Sequence, residues 1–248
     1  MAAIPKKVED RIKSQLRKFQ KLLTEAQSKD INESDTVTLL VDILSDVCGW
    51  DKYTDVTSEY AVRNTYCDIA VKYDDSPVML IEAKAVGIAL KSNHMTQAVH
   101  YASDSGIEWV VLTNGLQWQV YKIVFTKPVK HELFCEFNFL EISSRNKSGL
   151  NSLYILSKEG VPKRAIKNLY EESQATNKYM MASILLSDQI LDDIRREIRR
   201  MNRNIKIESE AIGRILKEEV LKREVTEGES FAEAQRKVRR AAKQRATG

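Results

Sequence analysis

In PVMLIEAKAVG, Pro77 to Gly87, an apolar run suited to a buried strand ends in Glu82 and Lys84, one residue apart. Burying either charge unpaired costs several kcal/mol, so their place at the end of such a run calls for a partner or a use. Earlier in the chain, TYCDIAVKY carries Asp68 inside a second strand-like run. Side chains alternate along a strand, so Val78, Leu80, Glu82 and Lys84 are expected on one face. Asp68, Ala70 and Lys72 are expected on one face of the other strand, opposite Cys67, Ile69 and Val71. If the two strands pair as antiparallel neighbours, Asp68 lies beside Glu82, subject to the pairing register. Two carboxylates so placed repel, and one protonates unless a cation stands between them. Lys84 offers one positive charge. Mg²⁺ (or Mn²⁺) offers more, since such an ion needs only one or two protein carboxylates together with water and substrate phosphate. It can polarise a phosphoryl oxygen and activate water while the ammonium stabilises developing charge. These parts suit phosphodiester hydrolysis.

Three further residues are expected near the same place. Glu33 lies four residues before Val37 and is expected to continue its helix's apolar stripe toward the sheet instead of facing water. Gln97 and Tyr101, also four apart, share a helix face beside the small residues Ala98 and Ala102, where a glutamine can orient water or hold a phosphate oxygen. Taken singly, each has an ordinary explanation: a solvated strand-end pair, a first-turn acid favoured by the helix dipole, or surface-helix residues. Their joint occurrence in this order is what points to a site.

The elements that must position these residues are legible as patterns. Val8, Ile12, Leu16, Phe19 and Leu23 recur at helical spacing through residues 5–28. A second helix follows the Asn32 cap, with Val37, Leu40, Val41, Leu44 and Val47 on one stripe. TSEYAV, TYCDIAVKY and PVMLIEAK read as short strands separated at Arg63-Asn64 and at Asp74-Asp75-Ser76. A Ser92-capped helix over 92–104 comes next, then WVVLT and LQWQVY joined at Asn114-Gly115, a pair that favours a two-residue hairpin. HELFCEFNF adds a strand. Beyond about residue 145 the strand signal gives way to helices near 175–202, 207–223 and 230–245, with Leu191, Ile194, Ile198 and Met201 at heptad-like intervals. The order predicts an α/β fold, a mixed β-sheet flanked by helices, followed by an α-helical C-terminal region.

Composition narrows the classes. With 43% hydrophobic residues the 248-residue chain can bury a real core. No apolar run reaches the roughly 18–20 residues a membrane span needs, and the N-terminus lacks a signal-peptide core, so a cytoplasmic protein without membrane attachment is expected. Cys48, Cys67 and Cys135 are odd in number and form no C-x-x-C pair, which reads as reduced thiols. His94, His100 and His131 are not spaced as zinc ligands. The net charge of +4 conceals a division: residues 1–30 carry +4, 31–144 carry −8 and 145–248 carry +8. Three segments are therefore expected, a basic N-terminal helix, a central domain and a basic helical region, divided at residues 30 and 144. The basic flanks either present solvated faces or contact a polyanion that the acidic middle repels.

The residues together resemble the PD-(D/E)XK nuclease superfamily, in which D…(D/E)xK on adjacent strands binds the metal. They resemble more closely the N-terminal nuclease domain of the R subunit of type I restriction enzymes, including its short stand-alone relatives. The resemblance covers roughly residues 31–142 and rests on Glu33, GWD at Gly49–Asp51, SEYAV, CDIAV, VMLIEAKAVG, Gln97 and Tyr101 in QAVHY, and LTNGLQWQVY. It implies a restriction-endonuclease-like fold, with Asp68, Glu82 and the Ala83 carbonyl as metal ligands and Lys84 as the catalytic lysine. Glu33 would be an accessory acid near the metal, Gln97 the motif glutamine and Tyr101 a support for that helix face. The chain has no G-x-x-x-x-G-K-[ST] loop, so an ATP-driven motor or a specificity subunit is expected as a separate protein. A Mg²⁺-dependent DNA endonuclease of restriction or defence type is the leading expectation. A nuclease-like module that binds DNA or protein without cutting is the alternative, and an assembly protein acting through its C-terminal helices is a third. Arg195, Arg196, Arg199 and Arg200, in IRREIRRM, and the tail RKVRRAAKQR are candidates for phosphate contact. The same helices could instead form a homodimer.

Overall fold

The computed structural model of the protein describes residues 3–62, 65–204 and 206–246. The chain divides into two compact units, Met1–Tyr170 and Glu171–Gly248. Helix α1 (Lys6–Lys29) buries Val8, Ile12, Leu16, Phe19 and Leu23, the stripe read from the sequence. Helix α2 (Glu33–Asp46) begins at Asn32, whose side chain accepts the Asp35 N–H at 2.9 Å and satisfies one orphan donor of the first turn. Its buried stripe is Thr36, Leu40, Ile43 and Leu44. Thr36 and Ile43 replace the expected Val37 and Val41, which are only half-buried. The arc is turned because α2 packs on α1 as well as on the sheet.

Six strands follow in sequence order: β1 (Val56–Val62), β2 (Thr65–Tyr73), β3 (Ser76–Ala83), β4 (Trp109–Thr113), β5 (Gln117–Val124) and β6 (Lys130–Asn138). Neighbours pair antiparallel except β3 and β4, which run parallel through a crossover containing helix α3 (Met95–Ser105). The expected turn at Arg63-Asn64 lies outside the described residues. The β2–β3 turn is Asp74-Asp75, both with positive φ (49° and 61°), as a two-residue hairpin of the I′ kind requires. From that turn Tyr73 pairs with Ser76 and Lys72 with Pro77, but Val71 then pairs with Met79. Val78 is the extra residue of a β-bulge. It therefore leaves the face expected for it: Val78 packs with the cluster that holds α1 and α2, while Leu80 packs with α3.

The sheet thus separates two cores. Ile69, Val71, Met79, Ile81 and Ala83 meet α1 and α2, together with Leu150, Leu153 and Tyr154 of α4 (Lys147–Tyr154). Ala70, Leu80, Val110 and Leu112 meet Met95, Ala98, Tyr101 and Ala102 of α3. Ser92 does not cap α3. A 3₁₀ turn over Ser92–His94 precedes the helix, and the His94 ring Nδ1 accepts the Lys91 N–H at 3.3 Å. The β4–β5 turn is shifted by one residue from Asn-Gly, since the Asn114 N–H donates to the Gln117 carbonyl at 3.3 Å, leaving Gly115 and Leu116 central. Gly115 has φ +86°, the positive value that the first central residue of a II′ turn needs.

Arg11 joins three parts of this unit. Its guanidinium donates to the Val47 and Cys48 carbonyls at the end of α2, both at 3.1 Å, and to both Glu159 carboxylate oxygens at 2.6 and 2.7 Å. That supplies orphan carbonyls with a charged donor. A Cβ on Gly49, at φ +81°, would meet this guanidinium at 2.5 Å, and the Trp50 indole N–H donates to the Leu156 carbonyl at 2.8 Å. The GWD motif is therefore a packing joint. Although composition set segment boundaries at residues 30 and 144, α1 and the stretch from α4 to Tyr170 share the core of the sheet.

The boundary between the units falls within α5 (Ala165–Thr176). The second unit continues with α6 (Lys178–Leu185), α7 (Asp188–Met201), α8 (Ser209–Ile215) with a π-helical turn Leu216–Val220, α9 (Arg223–Thr226) and α10 (Glu229–Ala246). Ala182, Val225 and Phe231 form its core with Tyr179, Leu186 and Leu221. The single helix expected near 175–202 is interrupted at Asn177, whose side chain accepts the Met180 N–H, and again at Ser187. Asn177 caps a new turn, whereas the Ser187 hydroxyl donates back to the Ile184 carbonyl at 2.6 Å. No helix among the described residues is long and apolar enough to cross a membrane.

Phe19 is fully buried on α1, so Phe19→Ala should destabilise the first unit by about 3–5 kcal/mol. Urea denaturation followed by tryptophan fluorescence measures this. A loss below about 1 kcal/mol would mean that α1 is not part of the core.

Candidate active site

The bulge at Val78 decides where the acids point. Past it the ladder runs Ala70 to Leu80 and Ile69 to Ile81, and one step further Asp68 falls opposite Glu82. Both then stand on the α3 side of the sheet, two residues beyond Ala70 and Leu80. The Ala83 N–H donates to Asp68 Oδ2 at 2.7 Å, fixing that carboxylate across the strand end. Glu82 is only 6% exposed and Asp68 is half-buried.

Lys84 closes the group. Its Nζ donates to Glu82 Oε1 at 2.9 Å and to the Ala83 carbonyl at 2.6 Å, and it lies 3.4 Å from Glu33 Oε2. Glu33 does not continue a buried stripe. It is the first residue of α2, its side chain 49% exposed, and it reaches Lys84 from the helix N-terminus, where a carboxylate is favoured. Gln97 stands on α3, which packs over the face carrying the acids, and its amide donates to the hydroxyl of buried Tyr101 one turn on. The two share a helix face less fully than expected, since Tyr101 points into the core and Gln97 sits at the exposed margin.

The segment after Lys84 is held by residues whose part in the site the sequence did not disclose. The Lys84 N–H donates to the Thr113 carbonyl at 2.8 Å. Asn114, 5% exposed, donates to the carbonyls of Val86 and Ile88 at 3.3 and 2.9 Å and accepts the N–H groups of Leu116 and Gln117 at 3.1 and 2.8 Å. One buried amide thus ties the β4–β5 turn to the strand-end loop. The Asn-Gly pair signalled a turn, but no local signal indicated this longer reach.

Electrostatics follows from the burial. Desolvation pushes the Asp68 carboxyl above its usual range, opposed by the Ala83 N–H and by Lys84. Glu82 is raised by the same cause, opposed by its bond to Lys84 and reinforced by Asp68. Burial alone would lower Lys84. Its bond to Glu82 and the charges of Glu82, Asp68 and Glu33 outweigh that, and the net shift is upward. Cys67, next to Asp68 in the chain, is pushed up to about 12 by burial, as is Cys48, so neither is a ready nucleophile.

The donor set fits a hard divalent cation. Every available group is an oxygen, and the Glu82 carboxylate and Ala83 carbonyl already hold a cation in the form of the Lys84 ammonium. Among the described residues no three His, Cys, Asp or Glu side chains gather as a ready metal cage. An ion there would draw its remaining ligands from the Ala83 carbonyl, water and substrate, which Mg²⁺ accepts and zinc does not favour.

The arginines expected to contact phosphate lie in the second unit, on α7, each paired with nearby groups. Arg195 meets Asp192 at 3.1 Å and Glu208 at 3.7 Å, and Arg200 meets Glu197 at 2.6 Å. Arg196 is bonded to Asp193, and Arg199 donates to the Ile207 carbonyl at 3.2 Å and lies 3.9 Å from Glu208.

Fold and site together define a mixed α/β domain, six strands flanked by helices, with an acid pair and an amine gathered at the end of its parallel strand pair. Residues 38–136 match the family model for the type I restriction enzyme R protein N terminus. That part of the chain, less than half of its 248 residues, is similar to a restriction-related, nuclease-like domain. The match includes Asp68, Glu82, Lys84, Gln97, Tyr101 and Asn114 but stops short of Glu33, so the placement of Glu33 rests on geometry. No curated protein and no solved structure gives a significant match.

A carboxyl whose pKa is raised in the fold binds its proton more tightly there than in the unfolded chain. Stability is then greatest below the unfolded pKa of about 4 and declines as pH rises through the folded value. Asp68→Asn keeps an acceptor for the Ala83 N–H and removes the charge. Without divalent ions it should melt above the parent at pH 7, by about 2–4 °C per kcal/mol of desolvation cost relieved, and the two should converge near pH 4. Calorimetry showing no gain at pH 7 would contradict the assigned electrostatics.

Proposed function

We propose that the first unit is a Mg²⁺-dependent (or Mn²⁺-dependent) DNA endonuclease of the PD-(D/E)XK kind, acting in restriction or defence. The observation that carries this proposal is the alignment of Asp68 with Glu82 on one face, with Lys84 bonded to Glu82 and to the Ala83 carbonyl. A structural ion pair would need only one carboxylate. The second acid, half-buried and lacking an ion pair of its own among the described residues, adds repulsion that a purely structural role does not repay.

In this mechanism Asp68, Glu82 and the Ala83 carbonyl hold the divalent ion. When bound, such an ion polarises the scissile phosphate and brings the pKa of a coordinated water toward neutrality. Lys84 supplies a positively charged donor, anchored by Glu82, that hydrogen-bonds the attacking water or the phosphoryl oxygens as negative charge builds on them. Its raised pKa keeps it protonated at neutral pH, suiting it to donate and not to serve as a base. Glu33 orients the ammonium from the α2 N-terminus, and Gln97, braced by Tyr101, offers an amide to water or phosphate. The family match supports DNA as substrate and a separate motor or specificity protein as partner. A homodimer through the C-terminal helices would supply a second site for cutting both strands.

Lys84→Ala and Asp68→Ala should each lower Mg²⁺-dependent cleavage of duplex DNA by about 10²-fold or more, with circular dichroism unchanged. If both variants fold normally and cut as the parent does, the site is misassigned.

A further inference from the structure

We propose that α10, in place of α7, is the helix through which the second unit contacts the phosphate backbone of duplex DNA. The choice of duplex over another polyanion rests on the nuclease reading above; the charge argument does not.

The two basic helices differ in whether their charges are already satisfied. The α7 arginines are matched by Asp192, Asp193, Glu197 and Glu208. Four acids beside four arginines leave little net positive charge there to attract a polyanion. On α10 the balance is reversed. Residues 235–248 contain six Lys/Arg and no Asp/Glu. Arg236, Lys237, Arg239 and Arg240 are exposed and make no ion pair among the described residues.

Their placement on the helix is consistent. Phe231 and Ala234 are buried and Val238 half-buried, at intervals of three and four residues, against α6. Arg236 and Arg240 stand on the opposite face at i, i+4, with Lys237 and Arg239 flanking them. Like charges at that spacing repel, a cost that an incoming polyanion would reverse. The cations span about 6 Å of helix, a length over which a duplex carries about four phosphate charges.

The same facts weigh against other occupants. A helix that lies in a membrane surface needs a free face of large apolar side chains to insert; on that face of α10 Phe231 is buried and Val238 half-buried, and the exposed remainder is Ala241 and Ala242. A second copy of this chain would bring the same positive charge to the same place.

The test measures binding of a short labelled duplex to the full chain by fluorescence anisotropy, in EDTA, at about 50–200 mM salt. The variant Arg236→Gln, Lys237→Gln, Arg239→Gln, Arg240→Gln should bind at least 10-fold more weakly, its salt slope shallower by about 3–4, near 0.9 per lost contact. Arg196→Gln with Arg200→Gln should stay within about twofold of the parent, and Arg236→Lys, Arg239→Lys, Arg240→Lys should largely retain binding. Because EDTA prevents cleavage, these results stand whether or not the Lys84 and Asp68 variants lose activity. Parental affinity and slope in the quadruple variant, or an equal loss in the α7 variant, would overturn the proposal. So would loss of binding to phosphatidylserine vesicles with duplex binding intact, an outcome that favours a membrane. If the quadruple variant is misfolded by circular dichroism, the charge-conserving triple variant decides: lost duplex binding there counts against a phosphate contact, and retained binding supports it.

Discussion

A single extra residue in one strand governs the arrangement of this protein's polar site. Counting from the Asp74-Asp75 turn, the β2–β3 ladder would set Asp68 opposite Ile81, with Glu82 on the other face of the sheet. The bulge at Val78 advances the register by one and brings the two acids onto the same face. The ladder beyond the bulge is held by apolar burial: Ile69, Val71, Met79 and Ile81 all enter the core under α1 and α2. Slipping back would turn Met79, Ile81 and Ala83 out of that core and carry the Glu82 carboxylate into it. The hydrophobic effect acting on one face therefore fixes polar geometry on the other.

The cost of that geometry falls on Asp68 and Glu82, whose carboxyls are both pushed upward by burial and partly compensated by Lys84. Two supports outside the acid pair make the cluster durable. Asn114 and Thr113 fix the backbone after Lys84, and the α2 N-terminus brings Glu33 within reach of the ammonium. Around these, Arg11 with Glu159 closes the end of α2, and α1 lays its whole apolar stripe on the core. A locally unfavourable arrangement of charge is tolerated because the rest of the unit is ordinary and well packed.

Much of this was legible in residue types alone, where the signal was periodic. The stripe of α1, all six strands and the Asn32 cap follow from alternation, helical spacing and capping chemistry. Signals of tertiary origin were not legible. Nothing in PVMLIEAK marks Val78 as a bulge, so Val78 and Leu80 were expected together and lie on opposite sides. The β4–β5 turn moved by one residue because Asn114 is used to tie down Val86 and Ile88, a long-range demand. Glu33 looked like the extension of a buried stripe because sequence spacing does not show that α2 begins at the sheet's rim. The helix near 175–202 breaks at Asn177, which caps a new turn, and at Ser187, whose hydroxyl bonds back to the Ile184 carbonyl, and apolar spacing reveals neither.

Asp68, Glu82 and the Ala83 carbonyl are proposed to form one oxygen site for a divalent cation. Soaking crystals of the protein in millimolar Mn²⁺ and recording anomalous scattering tests it most directly. A single strong anomalous peak bridging the carboxyl groups of Asp68 and Glu82, absent from Asp68→Ala crystals, is the expected result. No peak there, or manganese bound elsewhere while both carboxylates stay committed to Lys84 and the Ala83 N–H, would contradict it.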